Sequence, residues 1–242
     1  MEIIMQTLKI MSFNTQHCSN YITKKIDYPI IADTIRRYDP DVVVLNEMRG
    51  AGEKEDFVDQ TNIIRELVGM PYCYFAKAID VCDITSPYGN AILSKLPFVS
   101  VETVHIPDPP KEGRIGTRWY EHRCFLKAVL SGGITVLGVH VGLNPEEKEL
   151  AIKTLCEHIA NEKCLLLGDF NMRPTDEKLD PIKARMHDAA ELFTEELLSC
   201  PSDEPKGKID YIFATPDVKF VSADIPAIVA SDHRPHVATV NI

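Results

Sequence analysis

The chain has 242 residues, 45% of them hydrophobic and 26% charged, with 36 acidic against 26 basic side chains and a net charge of −10. That length is ample for a buried core. The acidic balance counts against sequence-independent binding to a nucleic-acid backbone, which Lys and Arg drive. No stretch approaches the roughly 18 consecutive apolar residues of a membrane span. The opening MEIIMQTLKIMSF carries Glu2 and no basic cluster, so it is expected to be neither a leader nor a span. Seven scattered cysteines without a CxxC spacing, among them Cys124, Cys156 and Cys164 in apolar runs, read as free thiols of a reducing compartment. A cytoplasmic location follows.

In chain order, an apolar run predicts a strand over 8–13, and YPIIADTIRRY at 28–38 has apolar residues at helical spacing, stopped by Pro40. A strand over 42–46, a helix over 56–68 and a strand over 90–94 come next. Strands over 125–130 and 135–140 then adjoin without a helix between them. A helix over 145–160 has a strong start, with Asn144 as N-cap, Pro145 in the first turn and two glutamates after it. Strands over 164–167, 210–214 and 237–241 complete the series, and 107–110 and 201–207 read as surface loops. Adjoining strands mixed with helices predict a mixed sheet system rather than a simple doubly wound fold. With no repeat and no linker, one domain over 1–242 is expected.

Polar residues recur where apolar strands end. MSFNTQ places Asn14, DVVVLNEM places Glu47, LGVHVG places His140, and LLLGDFN places Asp169 and Asn171. KIDYIF opens with Asp210, and ASDHRPH supplies Asp232 and His233. Gly168 would let the backbone turn sharply there, so that Asp169 and Asn171 share a cleft. Taken singly, Asn14 is a turn residue, Glu47 a solvated acid, His140 a core histidine and Asp232 a cap. Together these types make a hydrolytic metal centre. A serine hydrolase is disfavoured, because Ser231, Asp232 and His233 are contiguous and no GxSxG elbow occurs.

The ordered series SFN, LNE, GN-ILS, VH, GDFN, IDYIF and SDHRP, spanning about residues 9–242, resembles the endonuclease/exonuclease/phosphatase superfamily. The resemblance implies a deoxyribonuclease I-like α/β fold. This is a four-layer α/β/β/α sandwich, two mixed sheets flanked by helices, with the active site at one end. It implies Mg²⁺ (or Mn²⁺) on Glu47, with Asn14 and Asp232 completing or supporting the shell. Asp169 would orient or deprotonate the attacking water, and Asn171 would hold that water or a phosphoryl oxygen. His233, oriented by Asp210, would stabilise developing charge, and Glu121 would stand to His140 as Asp210 stands to His233. Substrate contacts are expected from Arg123, from Arg118 and Trp119 in the segment EGRIGTRWYEHR, and from Asn90.

The activity so implied is metal-assisted hydrolysis of a phosphoester. A small molecule or lipid headgroup is favoured over nucleic acid, because this chain is acidic and has Glu121-His122-Arg123 where abasic-site nucleases carry a tyrosine. A nuclease of the same fold and a catalytically inactive binding module are the alternatives. The complete set from Asn14 to His233 argues against the second. A monomer is expected.

Overall fold

Alternation along the strands decides the layering. In a computed structural model that describes residues 6–242, β1 (Thr7–Asn14) turns Leu8 and Ile10 to one face and Met11 and Phe13 to the other. Successive side chains of a strand point to opposite faces, so one strand serves two cores. Of the opening segment considered above, 1–5 lie outside the described residues. After β1 come α1 (Tyr28–Tyr38), β2 (Val42–Arg49), α2 (Gln60–Val68), β3 (Tyr72–Asp80), β4 (Pro87–Ser94), β5 (Phe98–Ile106), β6 (Arg123–Leu130), β7 (Ile134–His140) and α3 (Pro145–His158). Then follow β8 (Cys164–Asp169), the short α4 (Asp180–Lys183), β9 (His187–Asp188), β10 (Asp210–Ala214), β11 (Lys219–Asp224) and β12 (His236–Asn241).

Two six-stranded sheets result, ordered β11-β12-β1-β2-β4-β3 and β5-β6-β7-β8-β10-β9. Both are mixed, since β1 pairs with β2 and β7 with β8 in parallel while the other pairs are antiparallel. Ile10, Val44 and Ile92 of the first sheet meet Leu126, Val136 and Leu165 of the second in a shared core. On the outer face of the first sheet, Ile31 and Ile35 of α1 and Ile64 of α2 pack on Phe13 and Leu45. On the outer face of the second, Ile152 and Leu155 of α3 pack on Leu137 and Leu166. The four-layer α/β/β/α sandwich is therefore observed. No helix among the described residues is long and apolar enough to cross a membrane.

Eight strands lie where the apolar runs predict them, most extended by one to three residues. Helix α1 coincides with its expected span. Helix α2 begins at Gln60 rather than 56, where the Asp59 carboxylate accepts the Asn62 amide at 3.0 Å. Asn144 caps α3, with its backbone and side-chain N–H groups both donating to Glu147 Oε2 at 3.0 and 2.8 Å. Strands β3, β5, β9 and β11 have no counterpart in the sequence expectation, and all four are sheet edges. Gly168 has a different role from the expected sharp turn. It pairs with Val139 inside β8 at φ +149°, and a Cβ there would collide with the Val139 carbonyl. The turn falls later, at Asn171 (φ +51°).

His236 shares the inner face of β12 with Ala238 and Val240, opposite Ser12 of β1. Its ring is fully buried beside Phe193 (5.7 Å between centroids), and neither nitrogen has a hydrogen-bond partner. Burial, reinforced by Lys208, holds its pKa well below the ordinary imidazole value, against the Asp210 backbone. An unfolded chain takes up this proton below about pH 6.5 and the folded one does not, so stability falls as pH drops through that range. His236→Phe should stay within about 1 kcal/mol of wild type at neutral pH and move the acid-unfolding midpoint to lower pH. An unmoved acid midpoint would contradict this account.

Candidate active site

Five strand ends and the loop before β12 converge at one end of the sandwich. Two of their residues adopt the left-handed backbone that non-glycine residues rarely visit, Glu47 at φ +63° and Asn171 at φ +51°. The first lies in a register shift of β2 between Leu45 and Met48. Such a bulge re-aims a side chain, and here it delivers Glu47 to the cleft. Tyr88 Oη donates to Glu47 Oε2 at 2.8 Å, and Asn14 Nδ2 donates to Oε1 at 3.1 Å. Asn14 Nδ2 also donates to Asp169 Oδ2 at 3.1 Å, and Asn14 Oδ1 accepts the Gln16 amide at 3.1 Å. Gln16 Nε2 donates to Asp232 Oδ2 at 2.9 Å, and Ser231 Oγ donates to Asp232 Oδ1 at 3.0 Å. Asp169, Asn14, Glu47 and Asp232 thus belong to one hydrogen-bonded chain.

Asp169 ends β8 with 1% of its surface exposed. Its Oδ1 accepts the Asn171 amide at 2.8 Å, while His140 Nε2 and His233 Nε2 lie 3.5 and 3.7 Å from its Oδ2. Burial pushes its pKa up to about 7, and the His233 charge opposes that rise. His233 Nδ1 sits 2.8 Å from Asp210 Oδ2. Burial alone would discharge His233, but Asp210 and Asp169 together outweigh it and hold the imidazole well above its ordinary pKa. His140 moves the other way, driven well below by burial, then by Arg123 and by His233. One cleft therefore contains a carboxylate poised near neutrality, a charged histidine and a neutral one. Environments that push titratable groups apart in this way separate acid from base roles.

The expected Glu121–His140 pair does not form. Glu121 lies in the coil before β6 and pairs with Arg123 at 2.8 Å, and Arg123 Nη1 in turn approaches His140 Nδ1 to 3.2 Å. A cation rather than a second carboxylate therefore faces the Nδ1 side of this histidine, whose Nε2 side faces Asp169. Asn171 Nδ2 lies 3.2 Å from His140 Nε2 and donates to the Val141 carbonyl at 3.0 Å. Asn90 is buried, its amide nitrogen donating to the Cys124 carbonyl at 3.0 Å and its oxygen accepting from Asn46 at 2.8 Å. Arg118 and Trp119 are exposed, Trp119 at 81%, and neither lines the cleft. Asn144 fixes their backbone by donating to both carbonyls at 3.2 and 3.4 Å.

The cleft encloses about 460 Å³ and is lined by Glu47, Glu121, Arg123, His140, Asp169, Asn171 and His233. His17, Arg49, Lys54 and Tyr88 also line it and escaped sequence reasoning. Tyr88 immediately precedes the GN-ILS stretch, His17 follows MSFNTQ and Arg49 follows DVVVLNEM, so these three stand just outside quoted stretches and Lys54 has no such signal. His17 is pushed down to about 4 by burial and then by Arg49. Donor atoms of Asp169, Asp210 and His233 lie within 4.8 Å of one another, so this acidic and histidine set could hold a metal ion. It differs from the set Glu47, Asn14 and Asp232, and the Asp210 contact at 2.8 Å already engages His233 Nδ1.

The model of the Endonuclease/Exonuclease/phosphatase family matches residues 11–233, and the chain belongs to that family. Its members are hydrolases acting on phosphoesters. The uncharacterized protein YbhP of Escherichia coli (strain K12) is 24% identical over 176 residues, covering 68% of this chain and 67% of YbhP. The crystal structure of an endonuclease/exonuclease/phosphatase from Beutenbergia cavernae superposes with a TM-score of 0.79 at 22% identity, over 98% of this chain and 72% of that one. A mannosyl-6-phosphatase of Bacteroides thetaiotaomicron superposes with a TM-score of 0.73 at 16% identity, over 96% and 99%. At such identities the likeness is one of fold.

The electrostatic assignment is open to a direct check by NMR. The His233 imidazole carbon shifts should show a charged ring at pH 7, and Asp210→Asn should lower its pKa. A wild-type His233 titrating near the ordinary value of about 6.5 would contradict the net rise, and an unchanged pKa in Asp210→Asn would rule out the Asp210 contribution.

Proposed function

We propose that the chain is a divalent-metal-dependent hydrolase of phosphoester bonds, acting on a small or lipid-derived phosphoester in preference to nucleic acid. The observation that carries this reading is the convergence of Asp169, Asn171, His140 and His233 on the cleft that Glu47 also lines. Glu47 is half-buried there, and among the described residues it has no cationic partner within 4.0 Å. An unpaired carboxylate open to a cleft suits a hard cation, and Mg²⁺ is commonly bound by one or two carboxylates. Glu47 would hold the ion, with Asn14 and Asp232 beside it, and Mn²⁺ would satisfy the same oxygens. Asn14 turns its nitrogen to the carboxylates, so its share is to set their positions. When bound, the ion would act as a Lewis acid on a phosphoryl oxygen.

This chain's own residues supply the remainder. Asp169, raised toward neutrality, aligns the attacking water and takes its proton, which is efficient when the base titrates near the working pH. Asn171 and neutral His140 bind the phosphoryl group. Charged His233, backed by Asp210, and Arg123 donate to oxygens on which charge accumulates, and such preorganised donors are worth most in a partly dry site. A cleft of about 460 Å³ suits a small ligand or headgroup, and the net charge of −10 disfavours a nucleic-acid backbone.

Hydrolysis of p-nitrophenyl phosphate and bis-(p-nitrophenyl) phosphate, measured with Mg²⁺, Mn²⁺ and EDTA, tests the reading. Metal-dependent release is expected from at least one, and the preferred substrate separates monoesterase from diesterase. Asp169→Asn should lower turnover by about 10²–10⁴, and His233→Ala by about 10² or more. Glu47→Gln should raise the metal concentration needed for half-maximal rate. Release that survives EDTA, or variants as fast as wild type, would defeat the assignment.

A further inference from the structure

The cleft contains two cations that the chemistry above leaves unused. Arg49, the last residue of β2, and Lys54, in the loop that follows, both line it beside Glu47 and Tyr88. Each lies over the same ring: the Arg49 guanidinium is 4.9 Å and the Lys54 ammonium 5.4 Å from the Phe57 centroid. Phe57 is buried, and its loop is tied down. The Gly52 amide donates to the Phe57 carbonyl at 2.9 Å, the Glu53 amide to the Thr85 carbonyl at 2.8 Å, and the Arg49 amide to Gln60 Oε1 at 2.9 Å. An aromatic face holds cations without neutralising them.

Among the described residues, neither Arg49 nor Lys54 has a carboxylate within 4.0 Å, and the Lys54 ammonium donates to Cys82 Sγ at 3.5 Å. Arg123 in the same cleft, by contrast, pairs with Glu121 at 2.8 Å. Acidic residues outnumber basic ones by 36 to 26, so partners for these two cations are not scarce in this chain. Two like charges over one ring repel until an anion is bound between them. Arg offers a fork that matches two phosphate oxygens, and Lys adds a point charge.

We propose that Arg49 and Lys54 form a second anion site, and that the substrate is a phosphoester carrying a further phosphate group away from the bond that is cleaved. The proposal deepens the phosphoester reading of the cleft and rests on it. Both groups have room in a cavity of about 460 Å³.

Calorimetric titration with an alkylphosphonate and with alkane-α,ω-bisphosphonates of increasing length tests this without turnover. Wild type should bind a bisphosphonate of matching length about tenfold or more tightly than the monophosphonate, and the gap should shrink as salt rises. Arg49→Met combined with Lys54→Met should erase that gap and leave monophosphonate affinity within about threefold. If circular dichroism shows the double variant misfolded, Lys54→Met alone, at an exposed position, should narrow the gap. No gain at any length, or a gain that survives substitution, overturns the proposal.

Phosphatidylcholine vesicles carrying a bisphosphorylated phosphoinositide give a second arm. Retention that disappears in the variant assigns the second phosphate to a lipid headgroup, and a variant-sensitive gain with soluble probes only assigns it to a soluble substrate. Hydrolysis of p-nitrophenyl phosphate is read alongside. A gap without hydrolysis refutes the catalytic reading and keeps the anion site, while hydrolysis without a gap does the reverse.

Discussion

Three buried asparagines bolt the two sheets together at one end, and the site depends on them. Asn46 of β2 accepts the Asp169 amide at 3.1 Å and donates to the Val139 carbonyl at 2.9 Å, both in the opposite sheet. It also donates to Asn90, which in turn donates to the Cys124 carbonyl across the interface. Asn14 completes the clasp by donating to Asp169 Oδ2. Elsewhere the two sheets meet mainly through apolar side chains, which are indifferent to small sliding motions, with Tyr74 Oη of β3 and Thr103 Oγ1 of β5 adding one hydroxyl pair at 2.9 Å. Hydrogen bonds are directional, and a buried amide left unpaired costs about 1–3 kcal/mol. The clasp therefore fixes the relative register of the sheets where the cleft opens. Gly138 allows the necessary closeness, since a Cβ there would lie 2.8 Å from Val44 of the opposite sheet.

From that register follow the electrostatics. Asp169 is buried because the clasp draws it between the sheets, and burial is the leading reason its carboxyl titrates high. The two histidines flank the same carboxylate oxygen at similar distances, yet they differ in charge because of what stands behind each. Asp210 backs His233 and Arg123 backs His140. The backbone strain at Glu47 and Asn171 fits the same picture, since rarely populated conformations persist where surrounding structure over-determines them.

Much of this was legible in the sequence, for identifiable reasons. Central strands such as β2 and β8 are buried on both faces, so they appear as unbroken apolar runs ending in Glu47 and Asp169. Edge strands expose one side and part of a face, and β3, β5 and β11 alternate irregularly between half-buried and exposed residues. Their aromatic and β-branched residues (YCYFAKAID in β3, FVSVETVHI in β5) are strand-like, but without an unbroken apolar run they do not stand out as the central strands do. The pairing of Asp210 with His233 was readable from the motifs. That of Arg123 with His140 was not, because it turns on the side-chain reach of a residue at a strand's start. Asn46 sat inside a noted motif, but its role is visible only once both sheets are present. Arg49, Lys54 and His17 lie outside any pattern; the bulge of β2 and the following loop bring the first two to the cleft, and the turn after β1 brings His17.

The account's central claim is that one cleft, assembled across the two sheets, binds a metal through Glu47 and a phosphoryl group among Asn171, His140 and His233. A crystal structure with Mn²⁺ and inorganic phosphate, read by anomalous scattering, tests it most directly. The account predicts an anomalous peak at Glu47 with phosphate beside those three side chains. A peak centred on Asp169, Asp210 and His233, or phosphate bound away from the cleft, would contradict it.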